Sequence, residues 1–89
     1  MAKHLGIDGY PRSRATDEKI SKDTLSLFNT PNGIAVLGYL RSITTDIISG
    51  SNISDGELRH LEGQRYVIAL IVKRMNHAQT LASKGDTNE

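Results

Sequence analysis

Residues 54–79 read SDGELRHLEGQRYVIALIVKRMNHAQ, and their spacing decides the fold. Leu58, Leu61, Arg65, Ile68, Val72 and Met75 recur at steps of three and four, so a helix gathers them on one stripe, apolar except at Arg65. Val67, Leu70 and Ile71 widen that stripe until the middle of the helix is apolar nearly all round. Such a helix needs cover on two sides. Its start is marked by Ser54, whose hydroxyl can cap the first free amides, with Glu57 at the spacing of a capping box. Asp55 and Glu57 near one end, and Lys73, Arg74 and His77 near the other, agree with the helix macrodipole. Gly63 is the weak interior position, costing about 1 kcal/mol relative to Ala if exposed. It reads as a site of close approach by a neighbouring helix.

Upstream, Thr30 and Pro31 mark the start of another helix, with Pro31 in the first helical position and Thr30 as its cap. It is expected to span about 31–49, with Val36, Leu37, Leu40, Ile43, Thr44, Ile47 and Ile48 on one face, and Gly33 and Gly38 permitting close backbone contact. Gly50-Ser51-Asn52 then turns the chain, so this helix and the one at about 54–80 form an antiparallel hairpin. A shorter leading helix, about 17–29, is capped by Thr16 and turns Ile20, Thr24, Leu27 and Phe28 inward. Residues 1–16 mix Gly6, Gly9 and Pro11 with single apolar residues and read as an irregular arm, flexible or ordered by a partner. Residues 17–82 make up the helical domain, and 83–89 read as a disordered tail. The fold class is all-α.

With 89 residues, 37% hydrophobic residues, no Trp and a single Phe, one small core is the most this chain can build. Help from oligomerisation or a larger assembly is expected. The absence of Cys excludes a disulfide framework and a thiolate metal site. No run in residues 1–16 resembles a signal peptide, and the YVIALIV run is too short to cross a bilayer, so no membrane role is expected. Eleven Lys and Arg against ten Asp and Glu give a net charge of +1, which creates no general attraction for nucleic acid.

Catalytic constellations are hard to find. His4 lies in the arm, and His60 and His77 stand too far apart along one helix to share a metal within a chain. Gly6-Ile7-Asp8-Gly9 has no strand before it and fits neither a P-loop nor a dinucleotide fingerprint. No His is placed to activate a Ser. The expectation is a non-enzyme without metal or cofactor. Arg65 is placed to lay its stem on apolar surface and its guanidinium on Asp46 or the end of the preceding helix. Glu62, at three residues from both Arg59 and Arg65, can sit between two cations. Leu5, Tyr10, Arg12, Arg14, Arg65, Val67, Leu70, Ile71 and Arg74 are the candidates for partner contact. Phe28, Gly33, Leu37, Leu40, Leu61, Glu62, Gly63 and Ile68 are the packing positions. A helix-turn-helix reader is disfavoured, because the final helix is apolar where base-reading side chains belong and Asp55 and Glu57 would repel phosphate.

The segments LFNTPNGIAVLGYL and HLEGQRYVIALIVKRMN resemble a family of short proteins encoded among the capsid and tail genes of podophages of the Bordetella-phage type. The matching positions are Phe28, Thr30, Gly33, Val36 and Leu37, then Glu62, Gly63 and Arg65, followed by Val67 and Arg74. The spacer Thr45 to Ile53 and the arm before Thr16 fall outside the resemblance. It implies a non-enzymatic phage protein of the virion, or of the host cytoplasm during assembly. Its partners would be other phage structural proteins and further copies of itself. The alternative is a DNA-binding packaging component resembling a small terminase subunit, with Arg12, Arg14, Lys73 and Arg74 turned toward DNA.

Overall fold

The computed structural model describes residues 4–46 and 53–87, the side chains of 85–87 excepted. Three helices follow in order, α1 (Arg14–Phe28), α2 (Pro31–Ser42) and α3 (Asp55–Thr87), and no strand occurs among the described residues. The all-α expectation holds. Each helix begins on the hydroxyl of a Ser or Thr: Ser13 Oγ accepts from the Thr16 amide at 3.1 Å, Thr30 Oγ1 from Gly33 at 3.0 Å and Ser54 Oγ from Glu57 at 3.1 Å. Thr16, expected as the first cap, is thus the residue that Ser13 caps.

The boundaries differ from expectation at two ends. In α2 the helix stops at Ser42, because the Ser42 and Thr44 hydroxyls bond back to the carbonyls of Tyr39 and Leu40, at 2.6 Å each, and the amides of Thr44 and Asp46 both turn onto the Arg41 carbonyl. Apolar periodicity through Ile47 and Ile48 could not register that competition; those residues and the Gly50-Ser51-Asn52 turn lie outside the described residues. At the other end α3 continues to Thr87, through much of the stretch expected to be disordered. Adding residues to an existing helix carries no second nucleation cost.

The packing also differs. α1, not α2, is the principal partner of α3, and α2 touches α3 sparingly. The hairpin expected of α2 and α3 is therefore only part of the architecture. Among the described residues the buried apolar side chains are Leu37, Leu61, Ile68 and Ala78. Phe28 and Leu40 are half-buried, and Leu58, Val72 and Met75 also keep some contact with solvent. A radius of gyration of 16.1 Å exceeds the roughly 12 Å of a compact chain of this length. Principal extents of 54 × 39 × 17 Å describe a slab one layer of helices deep.

The corner between α1 and α2 explains the Phe28-x-Thr30-x-x-Gly33 pattern. Thr30 Oγ1 donates to the Leu27 carbonyl at 3.1 Å while it accepts from Gly33, so one hydroxyl closes α1 and opens α2. A Cβ on Gly33 would collide with the Leu27 carbonyl oxygen and lie 2.6 Å from the Phe28 Cα. Gly38 and Gly63 meet nothing, so the neighbouring helix expected at Gly63 is absent from the described chain. Gly33→Ala should therefore lower the midpoint of chemical denaturation. Gly38→Ala should raise it, by about 0.5–1 kcal/mol of helix propensity.

Candidate functional site

The face of α1 that meets α3 is polar in its first half. Asp17 and Ser21, one helical turn apart, are both buried, while Ile20 and Thr24 are only half-buried and Leu27 stands 65% exposed. Opposite them, Arg74 and His77 project from α3. Arg74 is 5% exposed, and its Nη1 donates to Asp17 Oδ1 at 2.5 Å, to the Asp17 carbonyl at 2.8 Å and to Ser21 Oγ at 3.0 Å. Ser21 Oγ also lies 2.7 Å from His77 Nδ1.

Residues 4–13 complete this cluster. Gly6 and Gly9 form a tight turn, with the Gly9 amide on the Gly6 carbonyl at 2.9 Å and Gly9 at φ +83°, where a Cβ would be strained. Asp8, inside the turn, accepts from the Tyr10 amide and from Nε and Nη2 of Arg12. Its Oδ2 lies 3.3 Å from Arg74 Nη2, close enough for charge attraction but not aligned for a hydrogen bond. The Ile7 amide donates to Asp17 Oδ1 at 3.3 Å, and Leu5 pairs with Pro11 in an isolated antiparallel bridge. Gly6 is buried against Asp17, where a Cβ would come within 2.6 Å of Oδ1. The described part of the segment expected as a flexible or partner-ordered arm is thus a closed loop fastened to α1 and α3 of its own chain.

Two candidate partner contacts are consequently turned inward. Arg74 is enclosed by Asp8, Asp17 and Ser21, and Arg12 is paired with Asp8 and lies 5.8 Å from the Tyr10 ring centre. Arg65 is half-buried and donates from Nε to the Thr44 carbonyl at 3.1 Å, the contact with the end of the preceding helix anticipated for it. Arg14 is exposed, as are Leu5 at 60% and Tyr10 at 62%. Val67 is 54% exposed, Leu70 and Ile71 are half-buried, and Glu62 and Gly63 face solvent. No group of three His, Asp or Glu side chains able to hold a metal occurs among the described residues.

The second feature is apolar. Val36 and Leu40 on α2 and Ile43 at its C-cap fall on one side at steps of four and three, and a groove borders that stripe on each neighbouring helix. One groove, about 270 Å³, is lined by Leu27, Phe28, Thr30, Asn32, Gly33 and Val36. The other, about 390 Å³, is lined by Leu40, Ile43, Thr44, Gln64, Val67 and Ile68. Neither contains a charged side chain.

The fold defines a small α-helical protein with a polar clasp on one side and open apolar surface on another. Residues 25–84 match the family model of the Bbp19-like phage proteins, and the chain belongs to that family. The match runs from the last turn of α1 through α2 and most of α3. It includes Arg74 and His77, whereas Asp8, Asp17 and Ser21 precede it. No curated protein and no solved structure gives a significant match. No helix among the described residues is long and apolar enough to cross a membrane.

Sequence reading missed Asp17 and Ser21 because it sought an apolar inner face on α1. The available signal was a pair of polar residues four apart facing, on the last helix, a cation and an imidazole three apart. Burial pushes the Asp17 carboxyl up, but the hydrogen bonds from Arg74 and the Ile7 amide outweigh it and hold it below its usual value. The hydrogen bonds from Arg12 hold Asp8 at about 2, against an ordinary 3.8. Both carboxylates therefore stabilise the fold above pH 4, and that contribution is lost as pH falls below about 4, for Asp8 through its folded value of about 2. Circular dichroism should show helix loss in that window, with a shallower acid dependence in Asp8→Asn. Arg74→Met strands Asp17 as a buried, unpaired charge and should cost about 3–5 kcal/mol in urea denaturation, part of which Asp17→Asn should restore.

Proposed function

We propose that this Bbp19-like protein is a non-enzymatic structural or assembly component of the phage that works through protein–protein contacts in the virion. The observation that carries the reading is the uncharged apolar surface along α2, where Val36 is 52%, Tyr39 61% and Ile43 44% exposed. A soluble chain that leaves so much contiguous apolar surface uncovered gains free energy when another polypeptide covers it. Membership in a phage family makes phage proteins the natural partners. The buried polar cluster supports a structural rather than catalytic use of its groups, because Asp17 and Ser21 are bonded to Arg74 and all three are withdrawn from solvent.

The DNA-packaging alternative has less support. Of the four cations it relied on, Arg12 and Arg74 are engaged inside the chain, which leaves Arg14 and Lys73 on the surface. Mass spectrometry of gradient-purified particles should detect the chain at a fixed stoichiometry; particles lacking it would confine any role to the infected cell. In a mobility-shift assay the purified chain should leave duplex DNA unshifted even at low salt. A complex that weakens steeply as salt rises would favour the packaging role instead.

A further inference from the structure

We infer that residues 4–12 are a detachable strap, which lifts off α1 and α3 as a preformed loop while the three helices stay folded. The inference concerns the polar side of the molecule and stands apart from the apolar contacts proposed above. Its first support is an imbalance of contacts. Within the strap the Gly6 amide donates to the Tyr10 carbonyl at 2.8 Å, Gly9 to Gly6 at 2.9 Å and Arg12 to His4 at 3.1 Å. Asp8 adds bonds from the Tyr10 amide and from two nitrogens of Arg12. Across to the helices, among the described residues, run one long hydrogen bond, from the Ile7 amide to Asp17 Oδ1 at 3.3 Å, and one ion contact, Asp8 Oδ2 to Arg74 Nη2 at 3.3 Å. Leu5 and Tyr10 are exposed and Ile7 is half-buried, so little apolar burial resists a local opening.

The second support is an unbonded donor. Arg74 Nη2, the nitrogen that faces Asp8, is buried without a hydrogen-bond partner. Closing the strap leaves that donor unsatisfied, and opening lets water reach it. The helices do not depend on the strap. Ser13 Oγ caps α1 on the Thr16 amide, and Arg74 Nη1 holds Asp17 and Ser21 directly, so the start of α1 and its register on α3 both survive an opening. What opening uncovers is a seat with one acceptor, Asp17 Oδ1, and one donor, Arg74 Nη2. It complements a backbone amide followed by a carboxylate, and Ile7-Asp8 is its internal occupant.

Amide hydrogen exchange of the full chain, followed by NMR across low urea concentrations, tests the strap. The Ile7 amide should show protection, yet exchange many-fold faster than the amides of Ser21 and Arg74 and with almost no dependence on urea, because little surface opens with it. Asp8→Asn removes the charge facing Arg74, and Gly6→Ala places a Cβ 2.6 Å from Asp17 Oδ1. Each should abolish the Ile7 protection while the helical circular-dichroism signal and the protection of Ser21 and Arg74 persist. An Ile7 amide that exchanges at the rate of Ser21 with the same urea dependence overturns the inference, since the loop then opens only when the whole chain unfolds. So does loss of the helical signal in both variants, and so does an Ile7 amide unprotected in the unaltered chain.

Discussion

The guanidinium of Arg74 is the point on which the two best-packed helices and the N-terminal loop converge. A cation at that depth needs compensation: Asp17, its carbonyl and Ser21 accept from Nη1, and Asp8 supplies charge beside Nη2, which makes no hydrogen bond. The desolvation of such a cluster largely offsets its internal attraction, so its net contribution to stability is small compared with what its disruption costs. Its larger effect is on uniqueness. An apolar contact between α1 and α3 could slide by a turn with modest loss, whereas a fork of hydrogen bonds to Asp17 and Ser21 fixes one register.

This division of labour follows from the amount of apolar material. Among the described residues, the buried apolar side chains Leu37, Leu61, Ile68 and Ala78 are too few to define the packing of three helices by shape alone. Polar side chains set the alignment of α1 on α3, the Thr30 hydroxyl with the close approach at Gly33 sets the corner into α2, and Arg65 ties the end of α2 to α3 through the Thr44 carbonyl. The apolar residues left over are those that these fixed positions cannot bring together.

Much of the backbone plan was legible in the residues. The Ser54 start of α3, the Thr30-Pro31 start of α2 and the contact of Arg65 with the end of α2 all follow from local rules of capping and reach, and all appear. Ser42 and Thr44 ended α2 early through hydroxyl-to-carbonyl bonds, which hydrophobic spacing does not register. The clasp was harder to foresee, since Asp17 and Ser21 lie 57 and 53 residues from Arg74 in the chain and each has an ordinary local explanation. Asp17 reads as a helix-dipole partner and Arg74 as a surface cation near a helix end; only their meeting reveals the role of either. Gly6 and Gly9 read as disorder signals, yet one lets the backbone press against Asp17 and the other makes the turn around Asp8.

The 33 residues of α3 extend about 50 Å at 1.5 Å per residue, close to the molecule's full 54 Å. One rod therefore acts as the ruler of the whole molecule. Because Arg65 and Ile68 meet the end of α2 while Arg74 meets α1, one residue added or removed between them would rotate one docking site about 100° relative to the other. Length and angular alignment are thereby coupled, and the chain can change its reach along this axis only in increments close to whole helical turns.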